Sequence, residues 1–212
     1  MPAPRFFTLD YLERAVLHDG TPVRLRLVRP EDKELLRTGF ERWSPASRYA
    51  RFLAPKQSLS DDELRYLCEV DHEDHVAIGA VLDSNDDDAA LEPAIAPVGL
   101  AIGRFIRLAD RPDTAEAAIA VADEVQHRGL GKLLLLRLVA AAAERGIAQF
   151  RCEILGSNAG MVALLSEIAL PPIGPTAPLD GAPVHSPMYG LFRAAAQNAV
   201  EWTEAVRRLW RR

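Results

Sequence analysis

The sequence predicts an α/β domain with a mixed, mostly antiparallel sheet, and three observations carry that prediction. Strand-like runs occupy His75 to Leu82, Val98 to Ile106 and Ala115 to Ala122 with no helical period between them, the pattern of an antiparallel meander. From Ala115 the order strand, glycine turn, helix, strand, helix continues to Ile168 and is the best-defined stretch of the chain. The composition, 49% hydrophobic and 26% charged over 212 residues, is that of one principal globular domain with room for short appendages.

Each element has a local cause. Residues 1–19 read as an N-terminal arm that ends at the turn signal Asp19-Gly20. Val23, Leu25 and Leu27 then alternate with Arg24 and Arg26 as in a half-buried strand. Pro30 suits the first position of a helix, Glu31 and Asp32 complement its positive end, and Leu36, Phe40 and Trp43 repeat at helical spacing. Ser44-Pro45 breaks that helix, and a short segment through Ser47-Arg48-Tyr49 follows. Ser60-Asp61-Asp62-Glu63 is a capping box in front of Leu64, Leu67 and Cys68, so a second helix runs to about Val70. Asp83 to Ala96 is an acidic, alanine-rich loop. Leu130, Leu133, Leu134, Leu138 and Ala141 share one side of a helix that starts at Gly129 and stops at Gly146; a strand at Phe150 to Leu155 and a helix at Asn158 to Ile168 complete the unit. Six prolines between Leu170 and Pro187 argue against long regular structure there, and Tyr189 to Trp210 reads as a last amphipathic helix. The expected division is an arm over 1–19, the domain over 20–172, and a proline-rich segment with a C-terminal helix over 173–212.

Several function classes lose support at this level. A net charge of −5 gives no basic field for nucleic acid or anionic lipid, so neither nucleic acid nor membrane is an expected partner. The start Met1-Pro2-Ala3-Pro4-Arg5 lacks the apolar core of an export signal, Leu133 to Leu136 is too short to span a bilayer, and the cytoplasm is the expected compartment. Cys68 and Cys152 are too few for a disulfide scaffold and read as buried thiols. His72-Glu73-Asp74-His75 has no third ligand at fixed spacing, and a strand there sends the two histidines to opposite faces; Asp83 to Asp88 lacks the glycine and terminal glutamate of a calcium loop. No metal is expected.

The chemistry is concentrated at Gln126-His127-Arg128-Gly129-Leu130-Gly131. A glycine-flanked turn from strand to helix presents unpaired N–H groups and the positive end of a helix dipole, which suits a phosphate. Without a Cβ at Gly129 and Gly131 a diphosphate can approach the main chain, and Arg128 or Lys132 can add charge. The P-loop pattern is absent and the dinucleotide fingerprint needs a third glycine. The segment closely resembles motif A of the GNAT superfamily of acetyltransferases, [RQ]xxGx[GA]. The likeness extends from about Val23 to Leu170 and includes Val28-Arg29-Pro30-Glu31-Asp32 and Asn158-Ala159-Gly160-Met161. The run from Phe40 to Phe52 is similar to the bacterial protein-lysine acetyltransferase branch, whose members are often fused to ligase-like or cyclic-nucleotide-binding domains that do not fit into this length.

The resemblance implies a GNAT fold, a sheet splayed in the middle with helices on both sides, and acetyl-CoA as cosubstrate in the opening. It places the main chain of Val121 and Ala122 on the pantetheine arm, the segment Gln126, His127, Arg128, Gly129, Leu130, Gly131 and Lys132 on the pyrophosphate, and Asn158 near the coenzyme. It also implies two final strands that the prolines after Leu170 leave open.

An amine must shed a proton before attacking a thioester, because the ammonium has no lone pair. Glu116 stands in an otherwise apolar strand, on one face with Ala118, Ala120 and Ala122, and the related lysine acetyltransferases carry a proposed base at this place. Burial in such a strand favours the neutral acid, so Glu116 is expected to be the base, acting directly or through water. Glu153 is a second candidate, and a strand-start glutamate at the sheet edge is the alternative reading of Glu116. The family's tyrosine acid has no counterpart between Asn158 and Leu170; water or Tyr189 is left for that role. The expected activity is acetyl transfer from acetyl-CoA to a primary amine, with a protein lysine favoured; the alternatives are a small-molecule amine acetyltransferase and a catalytically silent acyl-CoA-binding sensor module. The sequence carries no code for oligomeric state.

Overall fold

The structure, a computed structural model, describes residues 5–52, 54–83, 97–152, 158–168 and 198–201. Among these, seven strands form one sheet in chain order: β1 (Leu12–Val16), β2 (Pro22–Leu27), β3 (His75–Leu82), β4 (Gly99–Leu108), β5 (Arg111–Val121), β6 (Gln149–Cys152) and β7 (Asn198–Glu201). Every neighbouring pair is antiparallel except β5 and β6, which run parallel. A parallel pair needs a crossover, and α4 (Leu130–Ala143) supplies it.

The helices α1 (Lys33–Glu41), α2 (Pro45–Phe52) and α3 (Asp61–Cys68) lie between β2 and β3 in the chain, and α5 (Ala159–Ile168) follows β6. Adjacent strand residues point to opposite faces, so two neighbours on β4 locate the layers. A Cβ at Gly103 would stand 2.6 Å from Leu138 and 3.1 Å from Leu134, so α4 presses on that face as closely as a glycine allows. Arg104, the next residue, donates from Nη2 to the carbonyl of Leu67 on α3 at 3.1 Å, on the opposite face. The core between sheet and α4 holds Leu134, Leu135 and Leu138 with Phe105 and Phe150, whose ring centroids are 5.7 Å apart.

Local causes expected from the sequence are visible at α3: the Ser60 hydroxyl accepts the Glu63 N–H at 3.3 Å, and the Glu63 carboxylate accepts the Ser60 N–H at 2.8 Å. Four elements differ from expectation. Part of the arm, Leu12–Val16, is an edge strand of the sheet. Pro45 begins α2 where a helix-breaking segment was expected, because Ser44 caps the new helix by accepting the Ser47 N–H at 3.1 Å. His72 lies in a turn at φ 61° outside β3, so no strand alternation separates it from His75. Asn198–Glu201, inside the expected terminal helix, pairs with β6, where an open sheet edge outweighs local helix propensity. The rest of that helix, the proline-rich segment, the loop 84–96, Glu153 and Tyr189 lie outside the described residues. Among the described residues no helix is long and apolar enough to cross a membrane, and no group of three or more His, Cys, Asp or Glu is placed to hold a metal ion.

Candidate active site

β5 carries both halves of the site. It is an interior strand flanked by β4 over its length and by β6 from Thr114 to Ala117. Beyond Ala117 no described strand pairs with it on the β6 side, so main-chain groups between Ala118 and Val121 are left without a ladder partner there. The Val121 carbonyl shows the consequence: it accepts a bond of 3.1 Å from the side-chain amide of Gln126.

At its end β5 turns through Ala122, a single 3-10 turn at Asp123–Val125, and Gln126 into α4. Ala122 is tied back by its N–H to the carbonyl of Leu100 at 2.8 Å. His127 at φ 61° and Gly129 at φ 91° are both left-handed, and they fold the chain so that α4 starts immediately after Gly129. The first bond of the helix runs from the Leu133 N–H to the Gly129 carbonyl at 3.0 Å, which by helix geometry leaves the N–H groups at Leu130 and Gly131 without intrahelical acceptors. Gly131 faces α5 and β5: a Cβ there would meet Leu164 at 3.6 Å and Val121 at 3.7 Å.

Asn158 reaches the same place. Its side-chain oxygen caps α5 by accepting the Met161 N–H at 3.1 Å, and a Cβ on Gly160 would lie 3.8 Å from both that oxygen and the His127 ring. Val121, Ala122, the turn from Gln126 to Lys132, and Asn158 are thus gathered at one end of β5. Arg128, one of the two residues expected to add charge beside a phosphate, has its guanidinium ion-paired with Asp19 in the β1–β2 turn.

Glu116 lies five residues back along the strand, about 16 Å away at strand rise. It pairs in register with Ile106 on β4 and Arg151 on β6, so it stands inside the sheet and the edge-strand reading does not hold. It shares a face with Ala118 and Ala120 and with Arg104, whose register partner is Ala118. On that face α2 and α3 bring together a polar cluster that the sequence reading missed. Arg104 is buried, and its Nη1 lies 3.1 Å from Nε2 of His75, whose ring packs against Tyr66 at 5.3 Å. Burial pushes the Arg104 pKa down to about 9, helped by repulsion from Arg51, and burial followed by the nearby Arg104 charge pushes His75 down to about 4. Burial lowers Arg51 to about 10 against the opposing attraction of Glu116, so both guanidiniums stay cationic at neutral pH. Glu116 is therefore not an isolated acid in an apolar strand, as alternation alone suggested; α2 supplies it with a cation. The readable signal was Arg104 itself, a charge inside the apolar run of β4.

The start of α2 is joined to the turn between β5 and α4. Asp123 accepts the Ser44 N–H at 2.9 Å, the Ser44 hydroxyl at 2.8 Å and the Ser47 hydroxyl at 2.7 Å, which holds its own pKa low. Gln126 donates to the Ser47 hydroxyl at 3.3 Å, and Arg42 pairs with Glu124. An apolar groove lies beside this joint, between α1 (Leu35, Leu36, Phe40) and Gly79, Gly99 and Ala101 of the sheet.

Comparison with known proteins agrees with this arrangement. The model of the acetyltransferase (GNAT) family matches residues 32–168. The chain is 31% identical to Acetyltransferase Pat of Mycolicibacterium smegmatis over 68% of its length but spans only 40% of that relative. It is 29% identical to Acetyltransferase PA5475 of Pseudomonas aeruginosa, covering 68% of this chain and 73% of the other. Among solved structures the GNAT domain of S. lividans PAT superposes with a TM-score of 0.64 at 31% identity, covering 74% of this chain and 85% of that one. A sheet in chain order with one parallel pair, a left-handed glycine turn opening α4 at the end of β5, and a family model that spans β3 to β6 and that turn together establish that this chain belongs to the GNAT family of acetyltransferases.

Proposed function

We propose that the chain transfers the acetyl group of acetyl-CoA to a primary amine, with Glu116 as the base. The observation that carries this reading is that one strand, β5, presents Glu116 on an interior face and runs directly into the turn suited to a diphosphate. Pyrophosphate oxygens accept from the N–H groups of the turn from His127 to Lys132, and the pantetheine arm pairs with the main chain of Val121 and Ala122. Since the Val121 carbonyl is held by Gln126, that side chain swings aside as the arm binds. Asn158 keeps α5 against the turn beside the arm.

Glu116 takes a proton from the acceptor's ammonium, directly or through one water. The freed lone pair attacks the thioester carbonyl, the tetrahedral adduct collapses, the C–S bond breaks, and water reprotonates the leaving thiolate. The second proton lost by nitrogen passes to solvent as the amide forms. Atoms and charge balance with no metal or redox partner.

The acceptor we favour is a protein lysine, on the likeness of Phe40 to Phe52 to the lysine-acetylating branch. Incubating a proteome with acetyl-CoA, with and without the protein, and mapping acetyl-lysine by mass spectrometry tests it. No site above chemical background, together with efficient turnover of a diamine or amino acid, replaces it by a small-molecule acceptor. Glu116→Gln should lower kcat about 10²- to 10⁴-fold while leaving coenzyme affinity intact. Tight coenzyme binding with no turnover of any amine identifies a silent acyl-CoA-binding module instead.

A further inference from the structure

The geometry points to the tip of the β1–β2 hairpin, His18 and Asp19, as the device that fixes the coenzyme turn in its binding conformation. Both are positioning residues, and the inference rests on the acetyl-CoA reading above.

One peptide plane sets the direction of the N–H groups in the turn. The His18 N–H donates to the carbonyl of Arg128 at 3.2 Å. In a trans peptide the C=O of one residue and the N–H of the next point in opposite directions. Holding the Arg128 carbonyl toward the hairpin therefore turns the Gly129 N–H away from it, alongside the orphan N–H groups of Leu130 and Gly131 at the start of α4. Successive N–H groups directed to one side make the concavity that binds an anion.

Two further contacts lock the same plane. Asp19 holds the Arg128 guanidinium on the hairpin side, and its carboxylate is itself fixed by the Thr21 N–H at 3.1 Å and the Thr21 hydroxyl at 2.9 Å. The His18 ring lies where a Cβ of residue 129 would be, with Nε2 at 2.9 Å and Cε1 at 3.0 Å from that position. Gly129 thus meets two demands at once, a left-handed φ and the volume of an imidazole.

The hairpin is rigid enough to serve. Its turn is closed by the Leu17 N–H to the Thr21 carbonyl at 2.9 Å and the Gly20 N–H to the Leu17 carbonyl at 2.9 Å. Farther along β1, Glu13 grips Arg137 of α4 with two bonds of 2.5 and 2.6 Å and accepts the Tyr11 hydroxyl at 2.8 Å. Glu144 and Arg145, just past α4, hold the main chain of Phe6 and Phe7. The N-terminal segment is a strap along α4 whose free end presses on the coenzyme turn, and its tip precedes the residues matched by the family model.

Pantetheine shares the arm of coenzyme A and lacks the diphosphate, so it separates this role from a general one. In His18→Ala, Asp19→Ala and the double variant, the Kd for coenzyme A by calorimetry should rise about tenfold, and more in the double variant. The kcat/KM with S-acetylpantetheine and the kcat at saturating acetyl-CoA should stay within about twofold, and Asp19→Glu should regain most of the affinity. A double variant with wild-type affinity for coenzyme A overturns the inference and leaves the acetyl-CoA reading standing. Equal losses with coenzyme A and S-acetylpantetheine overturn it as well, since they mark a general structural effect. A wild-type protein that binds no coenzyme A overturns the acetyl-CoA reading and this inference together.

Discussion

Gly129→Ala separates the conformational demand on the turn that opens α4 from the steric one. A residue with a Cβ at φ 91° is in the left-handed region, which costs about 1–2 kcal/mol for an L-residue. The new methyl would also stand 2.9 Å from the His18 ring, a contact that must open by several tenths of an ångström. His18 is exposed and can swing out, so relief costs at most about 1 kcal/mol more. The sum is about 1–3 kcal/mol, and at about 2–4 °C per kcal/mol for a domain of this size the Tm should fall about 2–12 °C. In the double variant with His18→Ala the steric part, about 1 kcal/mol, should return while the strain remains. Urea unfolding with linear extrapolation measures both. Gly131→Ala is the internal control: its Cβ meets only ordinary contacts at 3.6 and 3.7 Å, so the fold should be unharmed or gain about 0.5–1 kcal/mol from helix propensity. If Gly129→Ala unfolds within about 0.5 kcal/mol of wild type, or His18→Ala adds to its cost, the account of this turn is refuted.

Other outcomes follow from the same contacts. His75 should show no imidazole titration by NMR between pH 5 and 8, since burial and the Arg104 charge hold its pKa at about 4; a midpoint near 6.5 refutes that environment. Because this base is depressed in the folded state, its contribution to stability is complete above the ordinary histidine value and is lost as pH falls toward 4, by up to about 3 kcal/mol in unfolding measurements. Arg137, first by its hydrogen bond, lowers the Glu13 pKa, so this carboxylate stabilises the fold above the ordinary glutamate range and ceases to as pH drops through its folded value. Arg137→Ala should cost about 1–3 kcal/mol at pH 7 and flatten that part of the acid unfolding curve; an unchanged curve means the strap contributes nothing. Cys68, fully buried and with its thiol pushed up to about 11, should be labelled by a thiol reagent only on unfolding, as read by peptide mass mapping.

Where local chemistry decides the structure, the sequence was legible. The Ser60 capping box and the glycine that opens α4 are each determined within a few residues, and β3 spans His75–Leu82 as its strand-like run implies. β1 was illegible because its pattern is inverted: Leu12 and Val16 are 55% and 69% exposed while Glu13 points inward. The Tyr11 hydroxyl and Arg137, the latter more than a hundred residues away, make that burial acceptable. α2 was hidden because Pro45 reads as a stop unless the capping role of Ser44 is known, and that role is supported by Asp123, distant in sequence at the end of β5. In the site, the turn from Gln126 to Lys132 was readable from its glycine spacing, while its nearness to Asn158 followed from the family resemblance alone. The cations around Glu116 were not, since Arg51 and Arg104 come from separate elements that only the packing of α2 and α3 against the sheet brings together.

The joint at Asp123 bears on how two substrates share one protein. Its carboxylate gathers three donors from the first turn of α2, and Gln126 spans from the Ser47 hydroxyl to the Val121 carbonyl. A ligand that claims the Val121 carbonyl displaces Gln126, and the displacement is felt at the root of the helix that delivers Arg51 to Glu116. If the coenzyme binds as proposed, occupancy at one end of β5 would bias the other, and thermodynamic reciprocity would make the coupling factor identical in both directions. Asp123→Ala should bring that factor toward one, so that donor and acceptor titrations no longer depend on each other, although none of the groups that hold either molecule has been removed.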